Sequence, residues 1–268
     1  MRPRLTLLIT TVVVALCLGR GTPARAQEAV PYPVWWSPSL ELESLDKIDE
    51  RLKRNLWPGD DGFRLFVGIG NNRTTVIAHS CADIRRYEKE GSGAIDSPDI
   101  YLWLTVYREC VPIERLRDAR PARSSHVRNF VLDAGALDYL PAMVTLSPSC
   151  DWWCRLYAAN ERRIPLSKFE DGRLLKARPI SDYQLEVETE LDIIQIEILA
   201  RADFNGDGWE DLFMKTDTKS KEGRWGDDTT FMATRESPDD VLWVLDADRF
   251  LCRKYKCAAH YDKPPALR

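Results

Sequence analysis

Two hydrophobic periods divide the chain. Up to about residue 162 apolar positions recur mostly at helical spacing. Leu40, Leu45, Ile48, Leu52 and Leu56 mark one face of a helix that Ser37-Pro38 opens and Pro58-Gly59 ends. A second amphipathic helix is predicted around Cys81 to Glu90, stopped by Gly91-Ser92-Gly93. A third runs from Pro98 to about Glu109, with Ile100, Trp103, Val106, Tyr107 and Cys110 on one side, and a short one spans Ala134 to Leu140 before Pro141. Phe63, Leu65, Val67 and Ile69 alternate, predicting a short strand, and Gly68, Gly70, Asn71 and Asn72 turn the chain. Residues 163–181 are polar and basic, with Pro165, Gly172 and Pro179, and read as a connection between halves. Beyond them the period becomes two. Tyr183, Leu185 and Val187 alternate, as do Ile194, Ile196 and Ile198; Phe213, Thr229 to Thr234 and Val241 to Leu245 supply further strands. The expected fold class is α+β, with a helix-rich N-terminal half and an antiparallel β-meander in the C-terminal half.

The chain ends refine this division. Met1 to Ala26 has Arg2 and Arg4, an apolar run from Leu5 to Leu18, and Ala24-Arg25-Ala26 before Gln27, the pattern of a secretory signal peptide over residues 1–26. Residues 27–38 form a Pro/Trp-rich arm, 39–162 a mainly helical region, 163–181 the connection and 182–268 the β region. No later run is long enough for a membrane span. Loss of residues 1–26 removes four arginines and no acid. The formal charge then moves from −4 to −8, with 34 Lys+Arg against 42 Asp+Glu. That balance excludes nonspecific nucleic-acid binding as a function. The remaining six cysteines, Cys81, Cys110, Cys150, Cys154, Cys252 and Cys257, form an even set behind a signal peptide and read as three disulfides. Locality favours Cys81–Cys110, Cys150–Cys154 and Cys252–Cys257, with pairings between loops left open. A periplasmic or secreted location is expected, and a monomer.

The densest chemistry lies between two strands. Asp203-Phe204-Asn205-Gly206-Asp207-Gly208-Trp209-Glu210-Asp211 reads D-x-N-x-D-G-x-x-D. Oxygen-bearing side chains at positions 1, 3 and 5, a glycine at 6 and a backbone carbonyl at 7 bend a chain around a hard cation such as Ca²⁺. An EF-hand closes its shell with Glu at position 12, but that position is Met214, so closure falls to Asp211 at position 9. The candidate ligands are Asp203, Asn205, Asp207, Asp211 and the carbonyl of Trp209. As a plain alternative, Asn205-Gly206 and Asp207-Gly208 are ordinary hairpin-turn pairs. The stretch 198–214 resembles the short calcium loop of FG-GAP and VCBS-type repeats, in a single copy. The resemblance implies a strand entering the loop, a strand leaving it and a bound calcium ion. It implies no activity.

No catalytic set is legible. His79, His126 and His260 are the only histidines, and none sits in a metalloprotease motif or beside a nucleophile elbow. Five arginines, Arg115, Arg117, Arg120, Arg123 and Arg128, cluster near His126 and are expected to pair with local acids such as Glu114 and Asp118. Trp152 and Trp153 are expected to pack rather than to hold a sugar. The reading is an extracytoplasmic, disulfide-stabilised calcium-binding protein with a structural or binding role toward an unknown envelope or extracellular partner. The alternative is a secreted hydrolase with paired carboxylates and calcium as a stability ion.

Overall fold

A computed structural model describes residues 31–56, 62–69, 72–90, 95–96, 109–145, 150–172, 174–222 and 226–248. Its strands are β1 (Trp35–Trp36), β2 (Phe63–Ile69), β3 (Asn72–Ala78), β4 (Ile95–Asp96), β5 (Leu174–Ser181), β6 (Gln184–Thr189), β7 (Asp192–Ala202), β8 (Asp211–Ser220), β9 (Gly226–Thr234) and β10 (Trp243–Asp248). Its α-helices are α1 (Ile48–Lys53), α2 (Cys81–Glu90), α3 (Val111–Arg115) and α4 (Cys150–Glu161). The fold is α+β, with helices in the N-terminal half and an antiparallel sheet in the C-terminal half.

The large sheet is a meander in the order β10-β9-β8-β7-β6-β5, each strand antiparallel to its sequence neighbour. β7 has eleven residues and β6 only six, so part of the β7 edge lies beyond β6. There β1 pairs with β7, Trp35 opposite Arg201 and Trp36 opposite Ala200. The aromatic arm thus completes the sheet and covers backbone groups that an open edge would expose.

Both faces of the central strands are buried. On β8, Leu212 and Met214 join a core with Leu185, Val187, Ile196, Phe231, Leu140, Leu156 and Leu166. Phe213, between them, points the other way into a core with Leu199, Phe204, Leu52, Ile84, Ile113 and Leu116. The two-residue period of a strand makes this division unavoidable once helices cover both faces. The Asp203–Asp211 loop emerges from the middle of this doubly covered sheet.

Several elements differ from the expectation. The helix expected from Ser37 to Leu56 is two 3₁₀ turns, Pro38–Leu40 and Leu45–Lys47, followed by the short α1. Ser37 does cap, accepting from the Ser39 N–H, but Glu41 takes a left-handed conformation (φ 49°) that ends the first turn. Leu40, Ile48 and Leu52 still reach the core. The single strand expected at residue 63 is half of a hairpin, β2 with β3, joined by β4 in a three-stranded sheet inside the region expected to be mainly helical. The connecting stretch 163–181 holds a 3₁₀ helix (Leu166–Gly172) and the edge strand β5, where Pro179 is tolerated because an edge needs fewer N–H donors. The compact Cys150–Cys154 segment opens the twelve-residue α4, and the Ala134 helix is a 3₁₀ turn. The helix expected over Pro98–Glu109 lies almost wholly outside the described residues.

Cys81 and Cys110 form a disulfide that ties the start of α2 to the residue before α3. Cys154 is also disulfide-bonded. Cys252, Cys257, His260 and residues 1–30 lie outside the described residues. Among the described residues, no helix is long and apolar enough to cross a membrane.

Candidate metal loop

Asp203 follows the last residue of β7, and Asp211 is the first residue of β8. Between them the backbone turns twice with positive φ, at Gly206 (83°) and Gly208 (90°), where a side chain would be strained. The first carboxylate organises the turn. Asp203 Oδ1 accepts the Gly206 N–H at 2.6 Å and Oδ2 the Gly208 N–H at 2.8 Å. Asn205 Oδ1 accepts the Asp207 N–H at 2.9 Å, and Asp207 Oδ1 the Trp209 N–H at 2.7 Å. The Asn205 amide donates to Asp207 Oδ2 at 3.0 Å. Each acid therefore folds the loop while keeping lone pairs available, since a carboxylate has about four acceptor sites.

Asp203 and Asp211 are buried, whereas Asn205 and Asp207 are exposed. Asp211 Oδ2 accepts the Phe204 N–H at 3.2 Å, but its Oδ1 is buried with no hydrogen-bond partner. Burial pushes this carboxyl up to about 6. The Phe204 N–H and the nearby Thr234 hydroxyl oppose the rise, while the charges of Asp207 and Asp203 add to it. A buried carboxylate oxygen without a donor is costly, and a cation is one of the few groups that relieves it.

The donors suit Ca²⁺ in kind, being oxygens only and flexible at Asn205 and Asp207. They do not stand as a finished shell. Among the described residues, no three acidic, histidine or cysteine side chains converge closely enough to hold a metal ion as they are. Trp209 is 41% exposed and its ring stacks on His126, with centroids 4.3 Å apart and planes at 18°.

The arginine segment wraps this loop. The Arg123 and Ser124 N–H groups donate to the Gly208 carbonyl at 2.8 and 3.1 Å, and the Glu210 N–H donates to the Ser124 carbonyl at 2.8 Å. Arg120 and Asp203 exchange backbone hydrogen bonds. Glu210, only 1% exposed, accepts from Ser125 Oγ at 2.6 Å and Arg128 Nη1 at 2.8 Å. Buried Arg201 donates to the carbonyls of Val127 and Phe130. The Arg123 guanidinium lies so close over Gly208 that a Cβ there would stand 3.0 Å from it. The expected pairing of these arginines with Glu114 and Asp118 is corrected: Glu114 pairs with Arg85, Arg115 with Asp246, Arg117 with Asp49 and Arg128 with Glu210. Partners so distant in sequence become neighbours only through the fold. The excess of arginine in an acidic chain was the one signal that this segment meets an acidic element. Nothing in the sequence singled out Glu210, Ser125 or Arg201.

The other candidates take part in packing, capping and pairing contacts. Trp152 and Trp153 pack against the first core, with Trp152 edge-on to Phe169 at 6.1 Å. The His79 and Ser80 N–H groups both donate to Asp83, and Ser80 Oγ accepts the Asp83 N–H, a cap for α2. Glu109 and Glu197 share a cleft of about 90 Å³, small for a sugar. Both are engaged, Glu109 by Arg51 at 3.4 Å and Glu197 by Ser37 at 2.8 Å. No family model, curated protein or solved structure matches this chain.

Proposed function

We propose that the protein is an extracytoplasmic, disulfide-stabilised calcium-binding protein whose ion joins β7 and β8 and fixes the arginine segment upon them. The role is structural or a binding one, without chemistry at the ion. The observation that carries this reading is the buried, unpartnered Oδ1 of Asp211 at the foot of a loop whose other two aspartates, Asp203 and Asp207, raise its proton affinity. Binding would replace that repulsion with attraction. Because the Gly208 carbonyl and Glu210 are bonded to residues 123–128, an ion ordering the loop also orders that segment. The location rests on the signal-like N-terminus and on the Cys81–Cys110 disulfide, a bond favoured in oxidising compartments.

Titration calorimetry of protein freed of metal by chelator tests the reading. One Ca²⁺ per chain is expected, with a dissociation constant on the order of 10 μM and weaker binding of Mg²⁺, which demands a tighter octahedron. Absence of calcium binding at ~1 mM, a concentration typical of extracellular calcium modules, would sink it.

A further inference from the structure

Asn205 is the only asparagine of the chain that precedes a glycine, and both residues are exposed. An asparagine so placed carries an electrophile beside a nucleophile. The backbone nitrogen of the next residue can attack the side-chain amide carbon, and a glycine leaves that approach open because it has no Cβ. The space is open in the fold as well, since a Cβ at Gly206 would meet nothing nearer than Arg120 Nη1, at 3.6 Å.

The folded loop engages both reacting groups. The Gly206 N–H carries the proton that must leave first, and it is donated to Asp203 Oδ1 at 2.6 Å. A hydrogen bond to a charged acceptor is among the stronger ones, and negative charge left on that nitrogen would face a carboxylate. The Asn205 amide is clasped at both ends, Oδ1 by the Asp207 N–H at 2.9 Å and Nδ2 by Asp207 Oδ2 at 3.0 Å. The second oxygen of Asp203 holds the Gly208 N–H at 2.8 Å, the corresponding nitrogen after Asp207. One buried carboxylate thus restrains the nitrogen of both glycines. The Gly206 proton cannot pass to water while Asp203 holds it, so reaction waits on opening of the loop.

We propose that Asn205 is a self-deamidating site whose rate Asp203 sets. When the loop opens, the Gly206 nitrogen gives up its proton and bonds to Cγ of Asn205. The Cγ–Nδ2 bond breaks and ammonia leaves with the proton, closing a cyclic imide. Water then opens the imide. Cleavage between Cγ and the nitrogen leaves aspartate, whereas cleavage at the main-chain carbonyl leaves isoaspartate, with the chain routed through Cγ. No oxidant or cofactor takes part. Either product adds a carboxylate to a loop that already holds Asp203, Asp207 and Asp211, and isoaspartate also lengthens the backbone of the turn. Loss of ammonia makes the change one-way.

The test is timed incubation of the full chain at mildly alkaline pH, below its melting temperature, then proteolysis and peptide mass spectrometry that separates aspartate from isoaspartate. Chelator throughout keeps the outcome apart from the calcium reading. Unfolded in urea, Asn205 is expected to convert faster than Asn55, Asn129 or Asn160, none of which precedes a glycine. In the folded protein its conversion is expected to be at least about tenfold slower than in urea. Asp203→Asn, with a melting curve showing that it folds, should convert Asn205 about tenfold faster than folded wild type. If that variant does not fold, Asp207→Ala decides, because it changes an exposed side chain and frees the Asn205 amide; a rise of about threefold or more is expected. The proposal is overturned by equal rates in the folded and urea-unfolded chain, or by an Asn205 no faster than the other asparagines in urea. It is overturned as well by a folded Asp203→Asn, or in its place Asp207→Ala, that converts no faster than wild type.

Discussion

Replacing Asp211 by Asn should change sign with calcium. Without metal, the folded state holds a carboxyl whose affinity for its proton is raised from 3.8 to about 6. A raised folded value means that the charge opposes folding. The cost is absent below about pH 4, grows between about 4 and 6 and is complete above, where it reaches about 3 kcal/mol. In chelator at pH 7, Asp211→Asn should therefore be more stable than wild type by about 1–3 kcal/mol, the lower end reflecting an amide that must still find partners. With ~1 mM free Ca²⁺ and a dissociation constant of about 10 μM, wild type gains about 2.7 kcal/mol and melts roughly 5–10 °C higher. The variant lacks the closing ligand and gains little, so the order of the two melting curves reverses. Differential scanning calorimetry of both proteins, with calcium and with chelator at pH 4 and pH 7, checks all of this. If the wild-type curves with calcium and chelator superimpose at pH 7, the calcium site is wrong. If the variant in chelator is no more stable than wild type, the buried-charge argument is wrong.

Gly208→Ala combines a left-handed backbone (φ 90°) with a Cβ 3.0 Å from the Arg123 guanidinium, and should lose about 1–3 kcal/mol in urea denaturation. Adding Arg123→Ala should recover only the part due to the contact. Arg128→Ala leaves Glu210, with a side chain 0% exposed, without its ion partner and should cost about 2–4 kcal/mol by the same assay. Arg128→Ala/Glu210→Gln should recover part of that loss, and equal stability of the two variants would contradict the buried-pair reading. Reduction of Cys81–Cys110, which closes a separation of 29 residues, should lower stability by about 3–4 kcal/mol on the chain-entropy argument, measured for Cys81→Ala/Cys110→Ala against wild type.

Local periodicity determined a good deal of this protein. The alternation of Leu185 and Val187, and of Ile194, Ile196 and Ile198, belongs to β6 and β7 as expected, because a half-buried strand repeats every two residues whatever surrounds it. The Cys81–Glu90 helix was legible from its amphipathic spacing, and the Asp203–Asp211 turn from its glycines, since conformations of positive φ select residues locally. Where the tertiary structure decided, the deciding contacts span long stretches of chain. Leu40, Ile48 and Leu52 are buried as a helical face would be, yet the backbone carrying them breaks at Glu41, and the spacing alone could not tell a helix from two turns and a helix. β5 was hidden because an edge strand has weak alternation and tolerates Pro179. The partners of the arginines were hidden more deeply, because charge complementarity has no range along a sequence. Arg128 is 82 residues from Glu210, and Arg115 is 131 from Asp246. Likewise, three aspartates in one loop are visible to any reader of the chain. That one of them sits beneath the sheet surface with an oxygen left unpaired follows only from the helices and strands packed around it.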